Sequence, residues 1–551
     1  MRALLVQPRF AQSFWSFDEA LKLLGKKQLV APLGLITVAA LLPQDWELKL
    51  VDRSFQDIDD GLWQWADVVM ISAMVSQRDC LTDVVREAKH RGKQVVVGGP
   101  FASSLPDELV QMGVDFIFQG EAEDGLDSLV QALLDGSPKG VFEERSKQNL
   151  SRSPIPRYDL LDLNAYTCMS IQTSRGCPHE CEFCDVISLY GRKPRFKDAD
   201  QIIAELDRLY EMGWSGTVFI CDDNFIGHKG HAREFLHRLI PWHEDRSKPF
   251  GFWTQATASL GQDLELIDLM TEANFGQIFV GIETPDEEAL ISIRKRHNVT
   301  NPLADSLRSI NENGLSVIGS FILGFDGEKK GAGRRICSFI DETHLPQVMV
   351  NILQAPPRTA LWDRLQSENR LLKGVTQWEI IGGRLNFVPT RPEREILEEY
   401  LETLDYLYEP SRYMKRAYEY YLRMRPTRKA VAQKAGNPYP ARHCLPRYQR
   451  SDTVKEARFS SGLKLFWRQG VVSSCRFQFW RQLIGILRRN PSRVTTYLLS
   501  LGFGENLMVL RKCARERIEE TLRGSNPQPK ALNRDEHLAE ESLATRRAGR
   551  K

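Results

Sequence analysis

The sequence predicts an α/β protein built from a doubly wound parallel sheet, a partial (β/α)6 barrel and a helical C-terminal part. Three observations lead there. Short apolar runs alternate with helix-like stretches through residues 1–140, the same alternation returns over 168–365 with six strand candidates, and beyond 376 the spacing turns helical. At 551 residues the chain exceeds one ordinary core, so two to four domains are expected. Hydrophobic and charged contents of 42% and 26% are those of a soluble globular protein rather than a disordered or fibrous one.

In the first part, Ala3–Val6, Glu47–Val51, Val68–Ile71, Gln94–Val97 and Phe116–Phe118 read as strands, each largely apolar and followed by a turn residue or a helical stretch. Runs apolar on both faces belong to parallel strands covered by helices on both sides. Asn149–Leu163 is rich in Ser, Pro and Arg without a period and reads as a surface linker within 141–167. The barrel strands are expected at Ser170–Thr173, Val218–Cys221, Phe252–Gln255, Ile278–Ile282, Ser316–Leu323 and Val348–Leu353. In such barrels chemistry sits at the C-terminal ends of the strands. Residues 366–524 form a helical extension, and the polar stretch 525–551 reads as a disordered tail.

No apolar run approaches the roughly 18 residues of a membrane span; the longest, Leu33 to Leu42, is too short. The start, MRALLVQP, reads as a buried strand rather than a secretory signal. The expectation is therefore a reducing cytoplasm, in which the ten cysteines are not paired. The net charge of +2 hides an asymmetry: residues 411–551 carry 31 Lys and Arg against 11 Asp and Glu. Such a surplus points the C-terminal part toward something anionic, a membrane surface or a nucleic acid.

Only three cysteines cluster. TSRGCPHECEFCDV places Cys177, Cys181 and Cys184 in a C-x3-C-x2-C spacing directly after the first barrel strand. Closed structural zinc sites want four ligands, and His179, inside the loop, would be strained to supply the fourth. Electron-transfer clusters also take four cysteines. Three thiolates would leave one iron of a 4Fe–4S cluster without a protein ligand, which is what a catalytic cluster needs.

This spacing, with Phe183 before the last cysteine, resembles the radical S-adenosylmethionine superfamily. The resemblance implies that Cys177, Cys181 and Cys184 hold the cluster, that S-adenosylmethionine chelates the open iron, and that Phe183 lies near its adenine. Three further matches run down the barrel in order. FICDDNF brings Asp222 and Asp223 to the end of the second strand, VGIETP brings Glu283 to a strand end, and VIGSFILGFDGE carries Gly319 and Leu323 in the strand that backs the adenine. On their own the aspartates could equally cap a helix, and the glycines could form tight turns.

The N-terminal sheet offers three strand-end loops: Ser72 and Ala73 in ISAMVSQ, Gly98 and Gly99 in VVVGGPFAS, and Gly120 and Glu121 in FQGEAE. Ligands of open α/β sheets bind at such carboxyl ends. With the barrel behind it, the domain resembles the cobalamin-binding, flavodoxin-like domain of cobalamin-dependent radical enzymes, which VQPRF and PLGLITVAALL also match. The Asp-x-His-x-x-Gly cobalt-ligand motif is absent, and the only His before residue 150 is His90. The resemblance thus implies cobalamin without a protein imidazole on cobalt. A domain kept for structure or another ligand is the alternative.

Residues 462–512 interleave aromatic and aliphatic residues with Arg and Lys. They read either as amphipathic helices at a bilayer interface or as a helical cover with a solvated basic face. Nucleic-acid binding is disfavoured, since no recognised fold accompanies the charge. The region resembles the extension of the subgroup that includes hopanoid C-2 methylases. The implied reaction is methylation of an unactivated carbon of a small apolar substrate, fed by an electron donor such as flavodoxin or ferredoxin, with placement at the inner membrane face. The rivals are a tetrapyrrole-modifying enzyme of ring cyclase or chlorin methylase type, and a non-enzymatic cobalamin or iron–sulfur sensor. Methylthiolation is disfavoured because no second cysteine cluster exists.

Overall fold

The structure is a computed structural model in which all residues except 145–146, 148, 301, 373–383, 437–461 and 524–551 are described. The tail 525–551, expected to be disordered, lies outside the described residues. Seven strands precede residue 150: β1 (Arg2–Gln7), β2 (Gln28–Val30), β3 (Glu47–Asp52), β4 (Val68–Ser72), β5 (Gln94–Gly98), β6 (Phe116–Gln119) and β7 (Gly140–Glu143). Six of them form a parallel sheet in the order β3-β1-β4-β5-β6-β7. Alternate residues serve two cores: Leu4, Val6, Val69 and Ile71 face one helical layer, and Ala3, Leu5, Val68 and Met70 the other. Burial on both faces is why these strands are apolar throughout. The strand order reverses between β1 and β4, which opens a crevice at their carboxyl ends.

The second sheet holds β2 with β8 (Tyr166–Ile171), β11 (Thr217–Ile220), β12 (Gly251–Gln255), β13 (Phe275–Glu283), β14 (Ser316–Leu323) and β15 (Gln347–Ile352). All are parallel, in the order β15-β14-β13-β12-β11-β8-β2, a partial barrel. The six expected strands are present, each within a few residues of its sequence bounds. The seventh is β2, which leaves the N-terminal stretch to pair with β8. Between β8 and β11 a short antiparallel pair, β9 (Ser174–Arg175) and β10 (Arg195–Phe196), brackets the cysteine loop.

The stretch 141–167 is more than the surface linker its composition suggested. It contributes most of β7, and its Tyr158 is fully buried, donating its hydroxyl to the Ser170 carbonyl at 2.8 Å.

The C-terminal helices close the amino-terminal end of the barrel. In the helix Pro410–Arg423 the Tyr420 hydroxyl accepts from Val317 N at 2.9 Å, at the start of β14, and Tyr408 donates to the Val348 carbonyl at 2.9 Å, at the start of β15. The chemistry-bearing end, at the strands' carboxyl termini, is left to the N-terminal domain. Among the described residues no helix is long and apolar enough to cross a membrane.

Candidate active site

Strand β8 ends at Ile171, and the chain turns through Thr173 and Ser174 into Gly176 and Cys177. That turn is set by Asp222, just beyond β11. Its fully buried carboxylate accepts from Thr173 N at 2.7 Å, Ser174 N at 3.0 Å and Ser174 Oγ at 2.7 Å, and also bonds the Thr173 hydroxyl. Burial raises the Asp222 carboxyl, and these donors oppose the rise. Asp223 accepts from Gly176 N at 2.9 Å, and burial pushes its carboxyl up to about 7. Gly176 has φ 94° and a Cβ there would come within 2.9 Å of the Gly191 carbonyl, so only glycine fits. The two aspartates therefore build the loop.

Within the loop, Glu182 holds the segment between Cys181 and Cys184. Its backbone donates to the Ile293 carbonyl and accepts from Leu361 N, while its buried carboxylate takes both arms of Arg364 at 2.7 and 3.1 Å. Arg364 continues to Asp326 at 2.8 Å. The three thiols are half-buried, and burial raises each above the ordinary thiol range. Metal ligation would have to reverse that, since thiolates are the ligands. A zinc ion gathers its sulfurs about 2.3 Å from one centre; among the described residues no three ligating side chains converge on one ion. A cluster offers each thiol its own iron, so this donor set fits it better.

A segment that sequence reasoning missed, Ile293–Asn298, closes one side of the site. Lys295, buried, pairs with Glu283 at 2.5 Å. Burial alone would lower the Lys295 ammonium, but Glu283 and the neighbouring thiols leave it raised. Its charge favours the thiolates of Cys177 and Cys181 against their burial. Glu283 ends β13 in the left-handed region, φ 66°, a strained position for a non-glycine residue. His179 stacks on His297 with ring centroids 3.7 Å apart, and burial lowers both imidazoles, His297 to about 3.

Phe183 stands 6.0 Å from Phe325 between ring centroids. With Glu182, Asp326, Leu353, Leu361 and Arg364 these rings line a cavity of about 240 Å³ at the ends of β14 and β15, beside the cysteine loop. Leu323 ends β14 and is buried, its carbonyl accepting from Leu353 N. Gly319 lies deeper in β14, where a Cβ would meet Ile282 at 3.0 Å and Leu345 at 3.3 Å. Its lack of a side chain there lets β14 pack closely on its neighbours.

The N-terminal loops face this mouth. Glu121, at the end of β6, was expected to bind a cofactor. Its buried carboxylate pairs with Arg175 at 3.0 Å and Arg195 at 2.8 Å, while Glu123 takes Arg175 at 2.7 Å. Burial would raise the Glu123 carboxyl, and the Arg175 guanidinium overrides it and holds it low. Arg175 lies two residues before Cys177, so these pairs join the carboxyl ends of the two sheets.

Gly99 and Gly120 serve the chain's own packing: a Cβ would come within 2.8 Å of Ser72 Oγ and 2.2 Å of the Glu144 carbonyl, respectively. Ala73 is buried, whereas Ser72 and Gly98 stay half-exposed at the ends of β4 and β5. Phe10 and Met74 are 38% and 48% exposed beside the crevice between β1 and β4, an apolar surface suited to a large flat ligand. His90 is exposed in the last turn of the helix Arg78–His90, at the opposite end of the sheet. No imidazole of this domain approaches the crevice, so the residues present fit cobalamin bound without one.

A half-barrel with a three-thiol loop at its mouth, faced by a second α/β domain, defines the class of radical iron–sulfur enzymes with an auxiliary cofactor domain. Residues 171–340 match the radical SAM superfamily, residues 26–130 the B12 binding domain, and residues 359–520 a domain of unknown function (DUF4070). The chain is 45% identical over 526 residues to an uncharacterized methyltransferase of Synechocystis sp., covering 95% of this chain and 94% of that protein. It is 35% identical over 444 residues to the hopanoid C-2 methylase of Rhodopseudomonas palustris, covering 79% and 83%. The fold matches the structure of the cobalamin-dependent S-adenosylmethionine radical enzyme OxsB with aqua-cobalamin bound, with a TM-score of 0.56 and 14% identity over 99% of this chain and 83% of that one. The chain belongs to the cobalamin-binding radical S-adenosylmethionine methyltransferases, whose cofactors are a 4Fe–4S cluster, S-adenosylmethionine and cobalamin.

Proposed function

We propose that this enzyme methylates an unactivated carbon of a small apolar molecule, a hopanoid lipid, at the mouth of its partial barrel. When bound, the cluster supplies the electron that opens S-adenosylmethionine, and cobalamin supplies the methyl group. Cys177, Cys181 and Cys184 hold the iron, and Glu182 and Asp222 hold their loop in place. Phe183 and Phe325 flank the adenine in the slot between β14, β15 and the loop. Asp223, Glu283 and Leu323 frame the sulfonium end at the strand termini. Ser72 and Gly98 would border cobalamin at the carboxyl ends of β4 and β5. A flavodoxin or ferredoxin delivers the electrons, and the C-terminal helices meet a bilayer.

The observation that carries the apolar substrate is the floor of the barrel. Val218 and Ile220 of β11 are fully buried on one face of the sheet, and Phe219 between them points to the other. There Trp253 stacks on Phe219 at 3.9 Å, and Trp15, from the segment after β1, lies 5.3 Å from Phe279 between ring centroids. Stacked aromatic faces suit a fused hydrocarbon skeleton, whereas a tetrapyrrole would bring its carboxylates against them. The 35% identity to a hopanoid methylase supports the same reading.

The test is anaerobic turnover of the reconstituted enzyme with a hopanoid, S-adenosylmethionine, cobalamin and a reductant. A hopanoid heavier by one methyl group is expected. Formation of 5′-deoxyadenosine without methylated hopanoid would overturn the substrate, and methylation of a porphyrin instead would favour the tetrapyrrole reading.

A further inference from the structure

The helix Arg476–Arg489 buries Phe479, Leu483 and Ile486 against the rest of the molecule. Its outer side carries a second apolar stripe: Phe477 is 77% exposed, and Trp480, Ile484 and Leu487 follow at helical spacing, all exposed. The turn before it adds Trp467, 62% exposed, and Val472, 65% exposed. Trp480 joins the two halves, donating its indole N–H to the Gly470 carbonyl at 2.9 Å and stacking near Phe466. Side chains this large, gathered on one surface, are uncommon on a protein that meets only water.

Charge selects the occupant. Residues 462–493 hold seven Lys and Arg and no Asp or Glu. Arg468 pairs with Glu505, and Arg493 is buried on backbone carbonyls. Lys464, Arg476, Arg481, Arg488 and Arg489 are exposed and make no ion pair among the described residues. On the helical wheel Arg481 and Arg488 fall beside Phe477, along the edge of the apolar stripe. A second copy of this chain would set like charges against each other across a symmetric interface. A nucleic acid would leave the apolar stripe facing phosphates.

We infer that this face docks on an anionic lipid bilayer, with Phe477, Trp467 and Val472 entering the interface and the arginines meeting headgroups. The inference narrows the membrane contact proposed above to one face of 462–489. The helix Val494–Leu522 turns most of its apolar side inward, with Tyr497, Leu501, Leu507, Leu510 and Ile518 in the core, and its exposed Leu499 and Val509 form no continuous stripe. It deepens the reading of a lipid substrate, and its test needs no turnover.

The purified protein, loaded with its cluster, is floated with vesicles containing phosphatidylglycerol and with vesicles of phosphatidylcholine alone. Flotation is expected with the anionic vesicles and should weaken at high salt. Phe477→Glu/Ile484→Glu should lower it by at least about tenfold, as should Arg481→Ala/Arg488→Ala/Arg489→Ala in low salt. The control Val110→Glu, at a residue 57% exposed in the N-terminal domain, should float like the wild type. Retained iron content certifies that each variant is folded. The inference is overturned by absent flotation, by flotation indifferent to these substitutions, by a dimer that Phe477→Glu/Ile484→Glu dissolves, or by DNA binding that the same variant abolishes. Loss of hopanoid methylation in detergent, with flotation intact, would strike the substrate reading alone.

Discussion

Asp222 has both carboxylate oxygens engaged by the turn that launches the cysteine loop. Replacing it with Ala strips the acceptor from Thr173 N and Ser174 N, both buried. An unsatisfied buried donor costs about 1–3 kcal/mol. Asp222→Ala should therefore lower the unfolding midpoint and the iron retained after reconstitution, and unchanged iron would argue that the loop is held by other means. Glu328 offers a test by pH. It accepts from Gly324 N at 2.9 Å and touches Arg391 at 3.3 Å, yet burial dominates and raises its carboxyl to about 7. A carboxyl whose folded pKa is raised binds its proton more tightly folded than unfolded, so this residue's contribution to stability is lost as pH climbs from about 4.5 to 7. The full loss is on the order of 3 kcal/mol. Glu328→Gln should flatten the fall in unfolding midpoint between pH 5 and pH 8, read by thermal melts. A variant that follows the wild-type slope would refute the assignment.

Among the elements, the ion pairs that Glu121 and Glu123, just after β6, make with Arg175 of β9 and Arg195 of β10 join the two sheets. Breaking a buried ion pair by removing one partner costs about 3–5 kcal/mol. Glu121→Gln should lower the unfolding midpoint and cut methyl transfer more than 5′-deoxyadenosine formation, because the cleavage site stays whole while its partner domain shifts. Equal loss of both would place Glu121 elsewhere in the scheme. The sequence does not reveal this pairing: Glu121 and Arg175 stand 54 residues apart, and a strand-end carboxylate does not name its arginines. The strands themselves were legible wherever both faces are buried, as in Val68–Ile71 or Ser316–Leu323. Strand β2 has three residues and β7 alternates half-exposed with exposed positions, so neither stands out from its surroundings. Likewise nothing in the sequence singles out Lys295 and His297, which pack onto Glu283 and His179.

At the scale of the molecule, each part of the chain takes one end of the barrel. The C-terminal helices, bonded to the strand starts through Tyr408 and Tyr420, seal the amino-terminal end, Trp15 and its neighbours form the floor, and the N-terminal sheet faces the carboxyl-terminal mouth where the three cysteines lie. Their spacing alone made the cysteine loop the most legible feature of the sequence, while the floor and the facing of the sheets needed the fold. The central claim is that Cys177, Cys181 and Cys184 hold a cluster with one open iron. Anaerobic reconstitution followed by iron and sulfide analysis, with 5′-deoxyadenosine read from S-adenosylmethionine, tests it most directly. The wild type should carry a full 4Fe–4S complement and release 5′-deoxyadenosine, and Cys177→Ala, Cys181→Ala and Cys184→Ala should each lose both. A single variant that keeps its iron and still cleaves S-adenosylmethionine would contradict the account.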